Sequence, residues 1–447
     1  MKYMIKGGTI VTGDGSTVIK NGTVVIEDDM ITAVTDKKIE APDDVQVIDA
    51  TGQVVMPGII NNHAHAVIDS APLFASAAPA LATEKTFSHL DRHLLEGTTT
   101  LMNVDGFATM EQVESTNARH PINIKTGTIH TPKNIKAAYM GDGKGMKPEN
   151  EKLTVEEMLS KGAVAIAEVG AGATLGGGVQ DYMYIPQAIR EATGVEVTAP
   201  QARALKVAVL GKYIKPPKFD EAKLTTLMNE LGLTGKITVS NLKQLIEDTV
   251  LPPFEDAVDG LVEACEYAAR LGVPTIVHHA APTKEIVKEL AYIGNLLVAA
   301  HSNHNSFDTE EAIEACKWLK ERNVIIDIST LDTFGARQLV STTDTLYRLV
   351  REGLVDTIST DYAGGKWDPI SVCLDYLVKD GVCTLPQAVA MATANVARLF
   401  PGLAPERGVL ASGKVADIIL VNPDNLGQVY TVIISGRIVV KDGKVCY

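Results

Sequence analysis

Short apolar runs alternate with amphipathic, helix-like stretches through the middle of the chain, from residue 57 to about residue 404. Apolar runs of about four to eight residues with helical segments between them are typical of βα units and a parallel sheet. Eight such runs cover residues 55–61, 98–103, 122–128, 163–168, 274–278, 295–301, 324–329 and 356–361. Eight βα units in succession predict an α/β fold, a (β/α)8 barrel of the TIM type, whose chemistry gathers at the carboxyl ends of the strands.

The two ends of the chain show a different pattern, of short strands separated by turns. Residues 1–56 contain the turn sequences Gly13-Asp14-Gly15 and Lys20-Asn21-Gly22, and residues 405–447 repeat this style. β-rich ends around an α/β middle predict one small β-sandwich domain formed by both termini. The predicted domains are therefore residues 1–56 together with 405–447, and a barrel of residues 57–404.

One segment interrupts the βα rhythm of the barrel. Glu168 and His278 are 110 residues apart, far more than one crossover helix needs. Residues 171–253, with a Gly-Gly-Gly triplet at 176–178 and two Pro-Pro pairs, are predicted to form an inserted helical subdomain. Two interpretations stay open: a lid or oligomer contact, or a helical decoration with no part in catalysis.

Polar residues end several of the apolar runs, where a barrel would bring them together. The first run leads into His63 and His65, and residues i and i+2 of a strand point to the same side, so both imidazoles can reach one metal ion. Imidazole suits zinc, iron or nickel better than magnesium or calcium. The ligand candidates at strand ends are His63, His65, Glu168, His278, His301 and Asp361. Four imidazoles and two carboxylates are enough for two divalent ions, especially if one carboxylate bridges them.

Several neighbouring residues compete with these candidates or extend the site. His278 and His279 are adjacent and face opposite sides of a strand, so only one of them should be a ligand. His301 lies at its strand end, which makes His301 the ligand and His304 a candidate substrate contact. The other candidate substrate contacts are His130, after the third run, and Tyr362, after the eighth. His89 and His93, four residues apart before the second run, are expected on the outer surface of a helix.

Composition excludes several other classes of function. The net charge is −14 and no Lys/Arg cluster is present, so we expect no nucleic-acid partner. Five widely spaced cysteines without a C-x-x-C pair fit a reducing cytoplasm. We expect no signal peptide and no membrane span, because the first residues lack an apolar core and no run of about 18 apolar residues occurs.

These segments resemble the amidohydrolase superfamily, and the matches extend over nearly the whole chain except the insert. The matching pieces are Val55-Met56-Pro57-Gly58 before His63-Ala64-His65, Glu96-Gly97-Thr98-Thr99-Thr100, Ala167-Glu168-Val169-Gly170, Ile276-Val277-His278, Ala299-Ala300-His301-Ser302, Thr360-Asp361 and residues 408–420. Within the superfamily the chain is most similar to enamidase and related cyclic-amide hydrolases. In those enzymes a glutamate on strand four bridges two metals, where dihydroorotases and hydantoinases use a carboxylated lysine.

The resemblance implies a ligand set and a reaction. His63, His65 and Asp361 would hold one ion, His278 and His301 the other, with Glu168 between them, and His278 is favoured over His279. The implied cofactors are two divalent transition-metal ions, zinc or alternatively iron or manganese, and relatives are often homo-oligomers. The implied reaction is attack of a metal-bound hydroxide on a cyclic amide, imide or enamide, a small-molecule substrate, with Asp361 returning the proton to nitrogen.

Two other functions were weighed against this one. A mononuclear deaminase of a purine, pyrimidine or other amidine-like ring commonly carries H-x-x-E at the fifth strand, but Ala281 and Pro282 stand three residues after His278 and His279. A non-catalytic scaffold is disfavoured because every expected ligand type is present. No arginine is adjacent to a predicted ligand, so the sequence gives no argument for a clamp on a substrate carboxylate or phosphate.

Overall fold

The strands occur at the two ends of the chain and, between them, alternate with helices. The computed structural model describes residues 2–76, 78–170, 173–331, 343–362 and 367–447. The strands are β1 Lys2–Val11, β2 Val18–Glu27, β3 Met30–Thr35, β4 Gln46–Asp49, β5 Val54–Pro57, β6 Ile59–Ala64, β7 Thr98–Asn103, β8 Asn123–Thr126, β9 Ile166–Val169, β10 Thr275–His278, β11 Leu297–Ala300, β12 Ile325–Ser329, β13 Thr357–Ser359, β14 Ile418–Asn422, β15 Asn425–Ile434, β16 Arg437–Lys441 and β17 Lys444–Val445.

The helices fill the predicted positions between the central strands. They are α1 Thr83–Leu95, α2 Met110–Asn117, α3 Pro132–Met140, α4 Pro148–Glu151, α5 Val155–Ser160, α6 Ile185–Thr193, α7 Ala199–Leu210, α8 Glu221–Glu230, α9 Val239–Val250, α10 Phe254–Leu271, α11 Lys284–Leu290, α12 Thr309–Lys320, α13 Asp344–Arg351, α14 Ile370–Lys379, α15 Leu385–Met391 and α16 Ala394–Leu399. A π-helix spans Gln180–Tyr184, and short 3-10 helices span Ala281–Thr283 and Ala291–Leu296. None of the helices in the described part of the chain combines the length and apolar character needed to cross a bilayer.

Both ends of the chain contribute to one sheet. Its strand order is β17-β16-β15-β14-β5-β1-β2-β3, with β4 paired to β1, and the ends meet where β14 runs antiparallel to β5. The chain leaves this sheet at Gly58, where an added Cβ atom would lie 2.2 Å from the Thr99 hydroxyl oxygen, so a larger residue does not fit. The β-rich unit predicted from the two termini is confirmed, while its sandwich arrangement and the domain limits stay predictions.

The central strands β6 to β13 follow the eight predicted apolar runs. They form two parallel sheets in the described residues, β6-β7-β8 and β9-β10-β11-β12-β13. Isolated parallel bridges join the edges of these sheets, one between Gly127 and Ala165 and one between Ala64 and Tyr362. Because all of these pairings are parallel, the carboxyl ends of the strands lie on one side, where their last residues can meet. The predicted α/β class with a parallel sheet is confirmed.

Apolar side chains of these strands pack against one another and against a segment at the amino end of the first central strand. One buried cluster joins alternate strand residues to the segment around α16, and its members are Ile60, Met102, Val104, Ala165, Ala167, Ile276, Val298, Ala300, Ile325, Val396, Phe400, Leu403 and Ala404. The amide of Ile60 donates to the Ala392 carbonyl, so this segment caps the amino end of the first central strand. Polar side chains are therefore accommodated at the opposite, carboxyl ends.

Candidate metal centre

The six ligand candidates converge at the carboxyl ends of five strands. His63 lies in β6 with His65 directly after it, Glu168 lies in β9, and His278 is the last residue of β10. His301 follows β11, and Asp361 lies two residues beyond β13. Five of the six residues are buried, and the Asp361 side chain, at 15% exposure, is the most accessible. Residues up to 298 positions apart in the sequence therefore lie in one site, and Asp361 is its most accessible member.

The two carboxylate oxygens of Glu168 face different pairs of histidines. Oε2 lies 3.5 Å from Nε2 of His63 and 3.5 Å from Nε2 of His65. Oε1 lies 3.3 Å from Nδ1 of His278 and 3.0 Å from Nε2 of His301. The Asp361 carboxylate belongs to the first pair, since its Oδ1 is 3.3 Å from Nε2 of His63 and 3.6 Å from Nε2 of His65. This is the arrangement that a carboxylate shared by two cations requires.

These separations fit metal ligation. Two ligand atoms that are each about 2.1 Å from one tetrahedral zinc ion lie about 3.4 Å apart, which matches the contacts between Glu168, Asp361 and the first histidine pair. Nε2 of His63 makes no hydrogen bond within the described residues although two carboxylate oxygens are that close. The ligand atoms of His63, His65 and Glu168, and those of Glu168, His278 and His301, each lie within 4.8 Å of one another. The residues present therefore fit metal ions.

The two carboxylates of the site carry negative charge that a bound cation would compensate. Burial disfavours the charged form of His63, yet the nearby Glu168 and Asp361 carboxylates raise the pKa of His63 to about 10. Burial likewise opposes ionisation of Glu168 and Asp361, and contacts with the histidines nevertheless hold the pKa of both carboxyls well below the usual range. Ionised carboxylates that attract protons to buried imidazoles attract a divalent cation for the same reason.

Two of the ligand residues occupy a backbone conformation that L-residues rarely adopt. His301 has φ 38° and Asp361 has φ 47°, both in the left-handed region. The Asp361 amide donates to the His63 carbonyl at 3.0 Å, which ties this turn to the strand that carries the first histidine pair. Such conformations persist where the surroundings enforce them and are enriched at functional sites.

Asp105 is a functional candidate that the sequence reasoning missed. Its Oδ1 lies 2.9 Å from Nδ1 of His65, and its carboxylate also accepts from the amides of Ala66 and Phe74 at 2.8 and 2.9 Å. A proton on Nδ1 makes this hydrogen bond and leaves the lone pair of Nε2 for a metal ion. The polar residue that ends the second run, Asn103, instead donates to the Thr126 hydroxyl. A search two residues beyond that strand end would have found Asp105.

We expect Asp105→Asn to weaken metal retention by about tenfold to a hundredfold, as is usual when the partner of a ligand histidine is lost. The amide cannot supply the negative charge that orients His65 and makes its Nε2 more basic. Dialysis against graded chelator, followed by elemental analysis, measures the effect. Asp69→Asn is the matched control, because Asp69 bonds Thr83 and Arg119 rather than a ligand histidine. Equal metal retention in Asp105→Asn and wild type would contradict this role.

Asp327, on β12, supports the site from beneath. Its buried carboxylate accepts from the hydroxyls of Thr357 and Ser359 at 2.6 and 2.8 Å, and its backbone carbonyl accepts from the Ser302 amide at 2.8 Å. These bonds connect the strand of Asp361 to the segment directly after His301. The sequence reasoning missed Asp327, although an aspartate inside the apolar run of residues 324–329 is unusual for a buried strand.

The competing histidines take distinct positions. His279 points away from the ligand group, with Nδ1 3.0 Å from the Ser302 hydroxyl and its ring against Phe307. His304 lies beside the site, its ring centre 5.4 Å from that of His278 and 5.5 Å from that of His301. His130 contacts the Thr128 hydroxyl and the Phe107 ring, and its recorded partners within the described residues include none of the six ligand candidates.

Tyr362 lies behind the site rather than in it. Its hydroxyl hydrogen-bonds Nδ1 of His89, and its ring packs against His93 and Trp367 at 5.4 and 4.3 Å. These contacts pack the Tyr362 side chain against α1 and Trp367, and its expected contact with substrate stays a prediction. His89 and His93 are both buried. The expectation of an outer helix surface was wrong for them, because this face of α1 packs on the segment after β13.

Comparisons with known proteins identify the family and the fold of this chain. The model of the amidohydrolase family matches residues 154–439. A dihydroorotase of Elusimicrobium minutum is 22% identical, over 94% of this chain and 88% of its own length. A 5'-deoxyadenosine deaminase of Methanosarcina barkeri is 46% identical, but over only 14% of this chain and 15% of its own. The solved β-aspartyl dipeptidase of Fervidobacterium islandicum superposes with a TM-score of 0.59 at 15% identity, over 100% of this chain and 98% of its own.

Proposed function

This chain belongs to the amidohydrolase family, and from that premise we propose that it hydrolyses the C–N bond of a cyclic amide, imide or enamide at a centre of two divalent metal ions. The observation that carries the proposal is the position of Glu168, whose two oxygens contact separate histidine pairs. A side chain that served one ion alone would have no need of the second pair. The similarity to a dihydroorotase along most of both chains supports a cyclic amide as the substrate class.

The ligand roles follow from the contacts of each carboxylate. His63, His65 and Asp361 would hold one ion, and His278 and His301 would hold the other, with Glu168 shared between them. Zinc is the proposed metal, with iron or manganese as alternatives, because imidazole and carboxylate donors suit all three. When bound, such ions lower the pKa of water and polarise a carbonyl oxygen, which is the activation that amide hydrolysis needs.

Asp361 is proposed to carry the proton of the reaction. It is the most accessible of the six residues, so its carboxylate is the one that substrate can approach. Burial raises the pKa of Asp361, but the contacts with His63 outweigh it and hold this pKa well below the usual range, so the carboxylate is ionised at neutral pH, the form that a general base requires. Oδ1 points at the first histidine pair, which leaves the other oxygen to accept the proton from the nucleophile and return it to the leaving nitrogen.

The same proposal includes the finer architecture expected from the sequence. The bridges at both edges of the two parallel sheets support a closed (β/α)8 barrel of residues 57–404, with residues 1–56 and 405–447 as the small β domain. Helices α6 to α9 between β9 and α10 support the insert at 171–253. Enamidase-like bridging by Glu168, homo-oligomerisation and a cytoplasmic location stay predictions. We also keep His304 as a proposed substrate contact, since it borders the ligand histidines.

Deamination of a ring amidine is the second candidate function. The local identity to a 5'-deoxyadenosine deaminase favours it, whereas the residue three positions after His278 is Ala281, which cannot protonate a ring. Ala281 is buried at the start of a short 3-10 helix. The two reactions differ in their products, because ring opening releases no ammonia and deamination does.

The test is an assay of metal-loaded protein over lactams, cyclic imides, hydantoins, ring amidines and a linear β-aspartyl dipeptide. We expect two equivalents of metal per chain and ring opening of at least one cyclic amide or imide without release of ammonia. Ammonia from a ring amidine would replace the proposal by the deaminase. Turnover of the dipeptide alone would contradict the cyclic substrate class. A metal content of one equivalent at full activity would contradict the shared carboxylate.

A further inference from the structure

Helix α7 of the inserted segment is fastened to the loops that leave the ligand strands. The Lys206 ammonium donates to the Gly176 carbonyl at 2.6 Å, in the loop that follows Glu168. Two residues beyond the helix, Lys212 pairs with Asp308 at 2.7 Å and with Glu311 at 2.5 Å, in the segment that follows His304. These contacts hold α7 at the carboxyl ends of the strands, on the side of the barrel where the metal ligands lie.

A buried cluster of three charges anchors one side chain of this helix. The Asp181 carboxylate, 1% exposed, pairs with Nε of Arg203 at 2.9 Å and with Nζ of Lys206 at 2.5 Å. Lys206 is 5% exposed, and its ammonium contacts the Asp181 carboxylate and the Gly176 carbonyl, so its charge is held inside the cluster. Two cations against one carboxylate leave one positive charge without a partner. Burying such a charge is costly unless an anion joins it.

The uncompensated charge lies on the outer edge of Arg203. Within the residues that the structure describes, the guanidinium hydrogen-bonds through Nε to Asp181 alone, and its two Nη groups have no acceptor. Its side chain is 19% exposed, so the free edge is neither buried in protein nor fully in solvent. Arg203 lies on α7, whose contacts with Gly176, Asp308 and Glu311 hold the helix beside the loops that follow Glu168 and His304.

We propose that Arg203 binds a carboxylate of the substrate, so that the inserted segment selects anionic cyclic amides over neutral ones. This inference rests on the proposed function and narrows its substrate class. The two Nη groups form a planar fork that matches a carboxylate, and Asp181 fixes the orientation of that fork through Nε. One unpaired positive charge balances one carboxylate, whereas a phosphate dianion would need a second cation. The insert is then part of the substrate site rather than a decoration of the barrel.

The test compares rings that differ only in a carboxylate: pyroglutamate with pyrrolidone, and dihydroorotate with dihydrouracil. Binding is measured by calorimetry on zinc-loaded protein in an Asp361→Asn background, so that the ligand is not consumed, and turnover is measured with Asp361 present. We expect wild-type Arg203 to bind a carboxylated ring more tightly than its neutral partner. Arg203→Gln should weaken binding of the carboxylated ring by about tenfold to a hundredfold and leave the neutral ring unchanged.

Two further variants distinguish loss of the carboxylate contact from loss of folding. Arg190→Gln removes an exposed arginine from the neighbouring helix α6 and should behave like wild type. Arg203→Lys keeps a charge for Asp181 but loses the fork, so it should fold, retain metal and lose part of the preference for the carboxylated ring. If Arg203→Gln proves unstable, the behaviour of Arg203→Lys decides the question by the same comparison.

The outcomes separate this inference from the proposed function. Suppose that the rings are turned over, that both members of each pair bind equally well, and that the Arg203 variants do not change these affinities. This result would overturn the inference but not the proposed reaction. Arg203-dependent binding of the carboxylated rings without turnover of any cyclic amide would support the inference and overturn the reaction. Failure of both carboxylated rings to bind would overturn the inference, since the proposed contact is to the carboxylate that they share.

Discussion

Replacing Glu168 with Gln should abolish binding of the two metal ions that we propose, together with all measurable turnover. Among the described residues, the Glu168 carboxylate contacts both histidine pairs, so its loss would remove a ligand from both proposed ions at once. Loss of a mere partner behind a ligand already weakens metal affinity by about tenfold to a hundredfold. Loss of a shared ligand should therefore exceed a factor of about one hundred. Without this negative charge, the repulsion between two cations in the site would also be less well compensated.

Metal content and activity, measured on the same preparation, check this result. Native mass spectrometry gives the number of ions per chain, and elemental analysis gives their identity. Glu168→Asp, which keeps the charge on a shorter side chain, should retain more metal than Glu168→Gln. A Glu168→Gln protein that still holds two ions would contradict the bridging role. One that holds a single ion with full activity would favour the mononuclear alternative.

Replacing Asp361 with Asn should leave metal largely bound and lower turnover by about a hundredfold to ten-thousandfold, the usual contribution of a general acid or base. The other five ligand candidates stay in place, and the amide oxygen of Asn can still point at the first histidine pair. An amide cannot accept and return a proton, so the leaving nitrogen would depart without one. The left-handed backbone at this position is also compatible with Asn, which tolerates it better than most residues.

This variant separates a role in chemistry from a role in ligation. Measured kcat should fall while KM and metal content change little, since the substrate and the ions still bind. Asp327→Asn is the matched control, because Asp327 is a buried carboxylate that braces the same strand without lying among the ligands. Retained turnover in Asp361→Asn would remove the proposed proton transfer. Loss of metal in parallel with activity would reduce Asp361 to a ligand.

The spacing of apolar and polar residues along the chain was enough to predict the fold class and most residues of the candidate centre. Periodicity located the central strands, because buried parallel strands must be apolar along their length. A barrel brings strand ends together, so a polar residue at such an end could be assigned to the site without coordinates. This reasoning reached His278 and Asp361, which continue the alternation of their strands from Ile276 and Ser359. It could not assign a substrate, because specificity is decided by loops whose paths periodicity does not describe.

The tertiary structure alone decided the contacts between segments that no local rule connects. Asp105 meets His65 across 40 positions and Arg203 meets Asp181 across 22, and neither pairing follows from strand or helix periodicity. Ala300 and Val298 point inward from their strand, so strict alternation would point His301 away from the site. His301 instead reaches Glu168 because its backbone takes a left-handed conformation, which the sequence does not predict. His89 and His93 were expected on the surface, but the segment around Trp367 packs against both rings. The local sequence pattern determines which side chains are buried. The packing of segments that are distant in sequence determines which of these side chains contact each other.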